Sequence, residues 1–380
     1  MTDSTWYPLL DLPAYPAERF APLADRLAAL LNTRNDVLLI QGEAIIALES
    51  VAVSLSRPGM HILNVVTSPY GLYFSQWLRR GGATIHDVKA HSGFPVSLEE
   101  FSHALDKLAH IDAVVVVHGE AASGIVNPLA DIAALVKQRG ALLIVDAVAS
   151  FGGHTLDVDA LGIDLAVIGP QKALGGPAGV SAISVSERAW QQLNTPASYA
   201  QSCLSLSELK RQWLDRGRQS LPGMPSSLDF WGLESALDRL DKEGLVNMIN
   251  RHILATRATR AGLRAMGVVP WVPEDDQASA LVTAAPVPDE VNIDDLLDAT
   301  ARLGVTLTPG VGAISRRLIR LNHTGPNAKF STVLANVVAY GAALIQAGQP
   351  ADIAAAAAAV TRHYASLPEP AAGSQTEPTL

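Results

Sequence analysis

Cysteine is almost absent. Cys203 is the single one in 380 residues. That excludes an internal disulfide framework and fits a reducing, cytoplasmic setting. Basic residues are also scarce: Lys and Arg number 28 against 37 Asp and Glu, a net charge of −9. A general nucleic-acid binder needs a basic face to neutralise phosphates, so that class is excluded. No apolar run has the length of a membrane span. The most apolar late stretch, ADIAAAAAAV, is too short and too rich in alanine, and reads as a surface or interface helix. The N-terminus, MTDSTWYPLLDLPAYPAERF, lacks a basic segment followed by an apolar one, so no signal peptide is expected. Internal repeats are missing as well.

What the chain does have is apolar bulk. The hydrophobic fraction is 48% and the charged fraction 17%, which is a globular balance. The length predicts two domains with ample core. From about Asp36 to about Val185, apolar strands alternate with helical patterns. DVLLIQ precedes AIIALESVAVSLS, which stops at Pro58-Gly59. HILNVVTS precedes YGLYFSQWLRR, capped by Gly81-Gly82. ATIHDV leads to SLEEFSHALDKLAH, where Ser97 and Glu100 have capping-box spacing. IDAVVVVHG leads to PLADIAALVKQRG, with Pro128 suited to the first helical turn. ALLIVDAVAS and LAVIGPQKAL complete the series. Continuous apolar strands joined by crossover helices predict an α/β fold with a mostly parallel sheet buried on both faces.

A long helix is expected from GLESALDRLDKEG to ATRAGLRAMG, leading into a smaller C-terminal α/β domain. The expected division is residues 1–245 for the large domain with its N-terminal segment and 246–365 for the small one. The remaining 366–380, SLPEPAAGSQTEPTL, is expected to be a disordered tail because it is rich in Pro, Gly and Ser.

In open α/β sheets ligands sit beyond the carboxyl ends of the strands. Glu43, His118 with Glu120, Asp146 and Lys172 all fall at such ends. An aspartate there also serves to cap a turn, and a lysine is most often solvated. Taken together, a lysine at one strand end and an aspartate at the preceding one suit a pyridoxal Schiff base. The lysine forms the imine, and the aspartate keeps the pyridine nitrogen protonated so that the ring withdraws electrons.

The motifs HGEAASGIVNP, LLIVDAVASFGG, GPQKALGGPAG and RLIRLNHTGPNA resemble the class V aminotransferases of pyridoxal-dependent fold type I, the alanine–glyoxylate and serine–pyruvate group. The resemblance covers roughly residues 36 to 345. It implies Lys172 as the Schiff-base lysine and Asp146 as the partner of the pyridine nitrogen. It implies Val148 on one ring face, Tyr70 of SPYG stacked on the other, and Gln171 beside the lysine. Arg320 matches the arginine that clamps a substrate carboxylate, a task suited to a bidentate guanidinium. Tyr70 has the alternative of a plain core residue, and Arg320 that of a surface ion pair. His118 reads either as a direct cofactor contact or as part of a structural turn. His323 reads as lying behind the reacting groups. No metal site is expected.

Three departures from the family pattern concern a phosphate. Glu43-Ala44-Ile45 stands where relatives have a turn of small and hydroxyl residues. Pro170 replaces a hydroxyl residue just before Gln171-Lys172. Met224 precedes Pro225 where relatives present a threonine from the second subunit. A phosphate and a carboxylate a few ångströms apart repel by roughly 4 kcal/mol per pair of unit charges at a dielectric of about 20. The pocket therefore reads as one for vitamin B6 without its phosphate, with Glu43, Ala44, Ile45, Tyr70, His118, Val148, Gln171 and Lys172 as cofactor-binding residues. The branch of the family with that property, the pyridoxamine–pyruvate aminotransferases, also has Gly-Glu at this turn. It carries a second arginine where this chain has Gly310-Val311-Gly312, and a hydroxyl residue is usual in the family where this chain has Ala121. The expectation is a cytoplasmic homodimer, or a tetramer, that transfers an amino group from pyridoxamine to pyruvate. The alternatives are an ordinary pyridoxal 5'-phosphate enzyme of the alanine–glyoxylate type and a catalytically weakened B6-binding protein on the same scaffold.

Overall fold

The computed structural model describes residues 12–193 and 202–365, so the expected tail 366–380 and the first residues of the N-terminal segment lie outside the described residues. Seven strands form one sheet: β1 (Asp36–Ile40), β2 (His61–Val66), β3 (Thr84–Lys89), β4 (Ala113–Val117), β5 (Leu142–Asp146), β6 (Leu165–Ile168) and β7 (Ser181–Val185). Their order is β1-β7-β6-β5-β4-β2-β3. β4, β5 and β6 are buried at every residue, as strands covered on both faces must be. β7 runs antiparallel to both β1 and β6, and every other neighbouring pair is parallel. Two antiparallel steps leave β1 pointing the same way as β6. The carboxyl ends of β1, β2, β4, β5 and β6 therefore share one edge.

The crossover helices begin where short polar side chains can satisfy free N–H groups. Ser68 caps Pro69–Arg80 by accepting from the Tyr70 N–H, and Ser97 caps Leu98–Asp106 by accepting from the Glu100 N–H. The Ser97 hydroxyl also donates to the Glu100 carboxylate at 2.9 Å. Pro128 stands one position earlier than expected, just outside the helix Leu129–Arg139, where its carbonyl accepts from Ile132.

The single long helix expected near residue 245 is two helices, Ser227–Glu243 and Leu245–Ala265. Gly244 between them has φ +81° and ψ 138°, a conformation that no helix contains and that favours glycine. The second sheet is antiparallel, with β8 (Val282–Pro286), β9 (Thr308–Pro309) and β10 (Leu318–Asn322) in the order β8-β10-β9. Helices Ile293–Arg302, Phe330–Gln346 and Ile353–Ala365 accompany it.

Two clusters of buried apolar side chains result. One surrounds the seven-stranded sheet, and the other draws on residues from Ala255 to Val360. Helix Leu245–Ala265 gives Met248 to the first and Ala255, Ala258 and Leu263 to the second. The alanine-rich stretch is partly a core element: Ala356, Ala359 and Val360 recur at helical spacing on its buried face. Among the described residues no helix is long and apolar enough to cross a membrane.

Candidate active site

A small cleft of about 50 Å³ opens at the shared edge of strand ends. Seven of the expected residues line it: Glu43, Ala44 and Ile45 after β1, Tyr70 after β2, Asp146 and Val148 at the end of β5, and Lys172 after β6. The edge gathers them because each follows a strand whose carboxyl end points the same way.

Glu43 has two occupations. It is the N-cap of helix Ala44–Leu55, and its Oε2 accepts from the Ile45 N–H at 2.7 Å. Its Oε1 accepts from Nε2 of Gln171 at 2.5 Å. The Ile46 N–H is bonded to the Glu43 carbonyl. The helix N-terminus, ordinarily a ready anion site, is thus already served by a carboxylate of the chain itself. The Ser181 hydroxyl donates to the Gly42 carbonyl at 2.9 Å and fixes the turn. Gln171 does not line the cleft and reaches it through Glu43.

Asp146 is buried, and its Oδ1 accepts from the Val148 N–H at 3.0 Å. Burial pushes its carboxyl up to about 6, against the Val148 bond and the Lys172 charge, with Glu43 adding to the rise. Burial also lowers the Lys172 ammonium; Glu43 and Asp146 oppose that shift, and Arg320 reinforces it. Tyr70 is raised, chiefly by burial. The cleft therefore combines an amine biased toward its neutral form with a carboxyl that holds a proton more readily than usual. An aromatic ring and an aliphatic side chain stand beside them. This set fits a pyridine aldehyde: an amine for the carbonyl carbon, a carboxyl for the ring nitrogen and apolar groups for the faces.

Arg320 sits in the central strand of the small sheet, opposite Ala284 of β8 and Thr308 of β9. Its Nε donates to the Pro309 carbonyl at 2.8 Å, and its Nη1 donates to the carbonyl of Ala121, a cleft residue, at 2.9 Å. It makes no surface ion pair like those of Arg19 or Arg264. His118 is outside the cleft lining. Its N–H bonds the Asp146 carbonyl, and its ring packs 5.5 Å from that of His154. Burial holds these two imidazoles down, to about 3 and about 4.

Sequence reasoning did not single out Leu48, Val117, Gly119 or Ala149 as lining residues. Leu48 was accessible from helical periodicity, one turn after Ala44. The others are backbone neighbours of motif residues and carry no chemical signal of their own. Glu120 is fully buried and accepts from the Thr67 hydroxyl; burial raises it to about 7. Among the described residues no group of three or more His, Cys, Asp or Glu is arranged to hold a metal ion.

The aminotransferase class-V family model matches residues 17–324. The pyridoxamine–pyruvate transaminase of Mesorhizobium japonicum is 33% identical over 332 residues, which is 87% of this chain and 84% of that protein. The serine–glyoxylate aminotransferase of Arabidopsis thaliana is 27% identical, over 82% of this chain and 79% of that one. Among solved structures, the pyridoxamine–pyruvate aminotransferase from Mesorhizobium loti superimposes with a TM-score of 0.87 at 31% identity, covering 92% of this chain and 89% of that one. Strand-end chemistry, sheet order and these likenesses agree: the chain belongs to the class-V aminotransferases, pyridoxal-dependent enzymes of fold type I.

Proposed function

We propose that this aminotransferase takes the B6 vitamer without its phosphate and moves an amino group from pyridoxamine to a small 2-oxo acid such as pyruvate, giving pyridoxal and L-alanine. The observation that carries the reading is Glu43. Its carboxylate lines the cleft with Lys172 while occupying the helix N-terminus that would otherwise receive a phosphate. Similarity in sequence and in structure to the Mesorhizobium aminotransferase named for pyridoxamine and pyruvate supports it.

A pyridoxal ring bound in the cleft supplies an aldehyde and an electron-withdrawing pyridinium. The chain's own residues do the rest. Lys172 would offer the amine for the aldehyde and, when free, would be the base that carries a proton between the substrate α-carbon and the carbon attached to the ring. Asp146 would hold the ring nitrogen and keep it protonated. Tyr70 and Val148 would hold the two faces. Glu43 would accept a hydrogen bond from the hydroxymethyl group. Arg320 has committed Nε to Pro309 and one Nη1 proton to Ala121, so the end formed by Nη1 and Nη2 remains for a carboxylate. Exposed Ile46, Leu72 and Tyr73, on the helices that follow Glu43 and Ser68, support a second copy of the chain packing over this edge.

The test is a visible absorbance titration of the purified protein with pyridoxal and, separately, with pyridoxal 5'-phosphate. The reading requires tighter binding of pyridoxal. Preference for the phosphorylated form returns the protein to the alanine–glyoxylate type.

A further inference from the structure

The loop that carries Lys172 is held from outside the large sheet. Gly325, in the turn after β10, lies with its Cα against that loop. A Cβ there would stand 2.7 Å from the carbonyl oxygen of Lys172 and 3.3 Å from that of Ala173. Its φ of +59° gives a second reason for glycine. Both backbone polar groups of Gly325 are taken by consecutive residues of helix Leu245–Ala265. Its N–H donates to Nε2 of His252 at 2.9 Å, and its carbonyl accepts from Nη1 of Arg251 at 2.5 Å as well as from the Ala328 N–H of its own turn at 3.1 Å.

His252 is fully buried, and its Nδ1 lies 2.8 Å from the Met248 carbonyl. A ring nitrogen that accepts carries no proton, so Nδ1 holds it and donates to Met248. Arg251 is braced by both oxygens of Glu243, at 2.6 and 3.0 Å. From the preceding helix Arg239 donates to the Gly175 carbonyl at 3.0 Å, further along the lysine loop.

We propose that His252, together with Arg251, is a positioning residue for Lys172. His252 holds the N–H of Gly325 and Arg251 its carbonyl, and together they fix the turn that presses on the Lys172 carbonyl. That contact sets the orientation of the peptide from which the lysine side chain enters the cleft. The inference rests on the reading of Lys172 as the reacting amine. It matters because a misplacement of about 1 Å costs on the order of 100-fold in reaction rate.

Two substitutions separate clamping from core filling. His252→Asn keeps an N–H where Nδ1 stood and loses the acceptor for Gly325. His252→Gln puts a side-chain carbonyl where Nε2 stood and keeps that acceptor. Three quantities are read: hydrogen exchange at the Gly325 amide, the affinity for pyridoxal from its visible band, and the pH midpoint of that band. His252→Asn should speed exchange and weaken pyridoxal binding by about tenfold or more, with a shifted midpoint. His252→Gln should restore all three. Arg251→Gln, at a position whose side chain is 29% exposed, should move them in the same direction as His252→Asn.

Parent-like exchange and binding in both His252→Asn and Arg251→Gln would overturn the proposal. So would equal damage in the Asn and Gln variants, which marks packing alone. Lys172→Ala separates the two readings. A visible band persisting in that variant defeats Lys172 as the reacting amine, whereas Gly325 exchange reports on the clamp without any B6 bound.

Discussion

Replacing Glu43 by serine removes one charge from the cleft and leaves the helix start intact, because serine is itself a good N-cap. The side chain now gives Ile45 a bond of 2.7 Å and Gln171 one of 2.5 Å. Serine keeps the first, so Glu43→Ser should melt close to the parent. Binding should change more. Loss of one charge-assisted bond to the hydroxymethyl group costs about 1.5–3 kcal/mol, or roughly ten- to a hundredfold in pyridoxal affinity. For pyridoxal 5'-phosphate the sign reverses. A unit charge pair about 4 Å apart at an effective dielectric near 20 repels by roughly 4 kcal/mol, and relief of even part of that exceeds about tenfold. Serine also adds a hydroxyl donor. Absorbance titrations of parent and variant with both vitamers, with thermal melts as a control, read out the switch. A variant whose preference between the two vitamers matches the parent's would refute the reasoning and leave Glu43 as a helix cap only.

Lys172→Ala should abolish the visible band and amino transfer, and borohydride reduction of the parent with pyridoxal should label this lysine in a peptide map. Label on another lysine sinks the assignment. Arg320→Ala should weaken binding of pyruvate or alanine by about 2–5 kcal/mol while leaving pyridoxal binding nearly unchanged, measured by titrating each ligand. The protein without B6 should lose stability between about pH 6.5 and pH 4.5. His118 and His323 are held down to about 3, and His154 and His252 to about 4, from 6.5, so the unfolded chain binds their protons first and acid favours it. Glu120, raised to about 7, and Asp146, raised to about 6, act oppositely: their stabilisation is present in acid and lost as pH rises. Four histidines against two carboxyls leave a net slope of up to roughly 2–3 kcal/mol per pH unit near the middle of that window. Denaturant midpoints that stay flat or rise on acidification would contradict it.

The primary structure alone determined six strands of the large sheet, all but β7, the helix cap at Ser97, and the strand-end positions of Glu43, Asp146 and Lys172. Local rules suffice there. A continuous apolar run needs two covered faces, a hydroxyl satisfies a free N–H, and parallel strands deliver their carboxyl ends to one edge. Tertiary structure decided what depends on residues far apart in the chain. β1 reaches the edge of the sheet only by pairing with β7, and no local pattern encodes that partner. Glu43 caps its helix through one oxygen, and Gln171, from the loop after β6, comes to the other. The ring of His118 packs against that of His154, and His118 does not line the cleft. The break at Gly244 was not apparent because one glycine in a helical pattern costs only about 1 kcal/mol. The contact of Gly325 with the Lys172 carbonyl is backbone against backbone, and its need for a missing Cβ shows only when the two loops are in place.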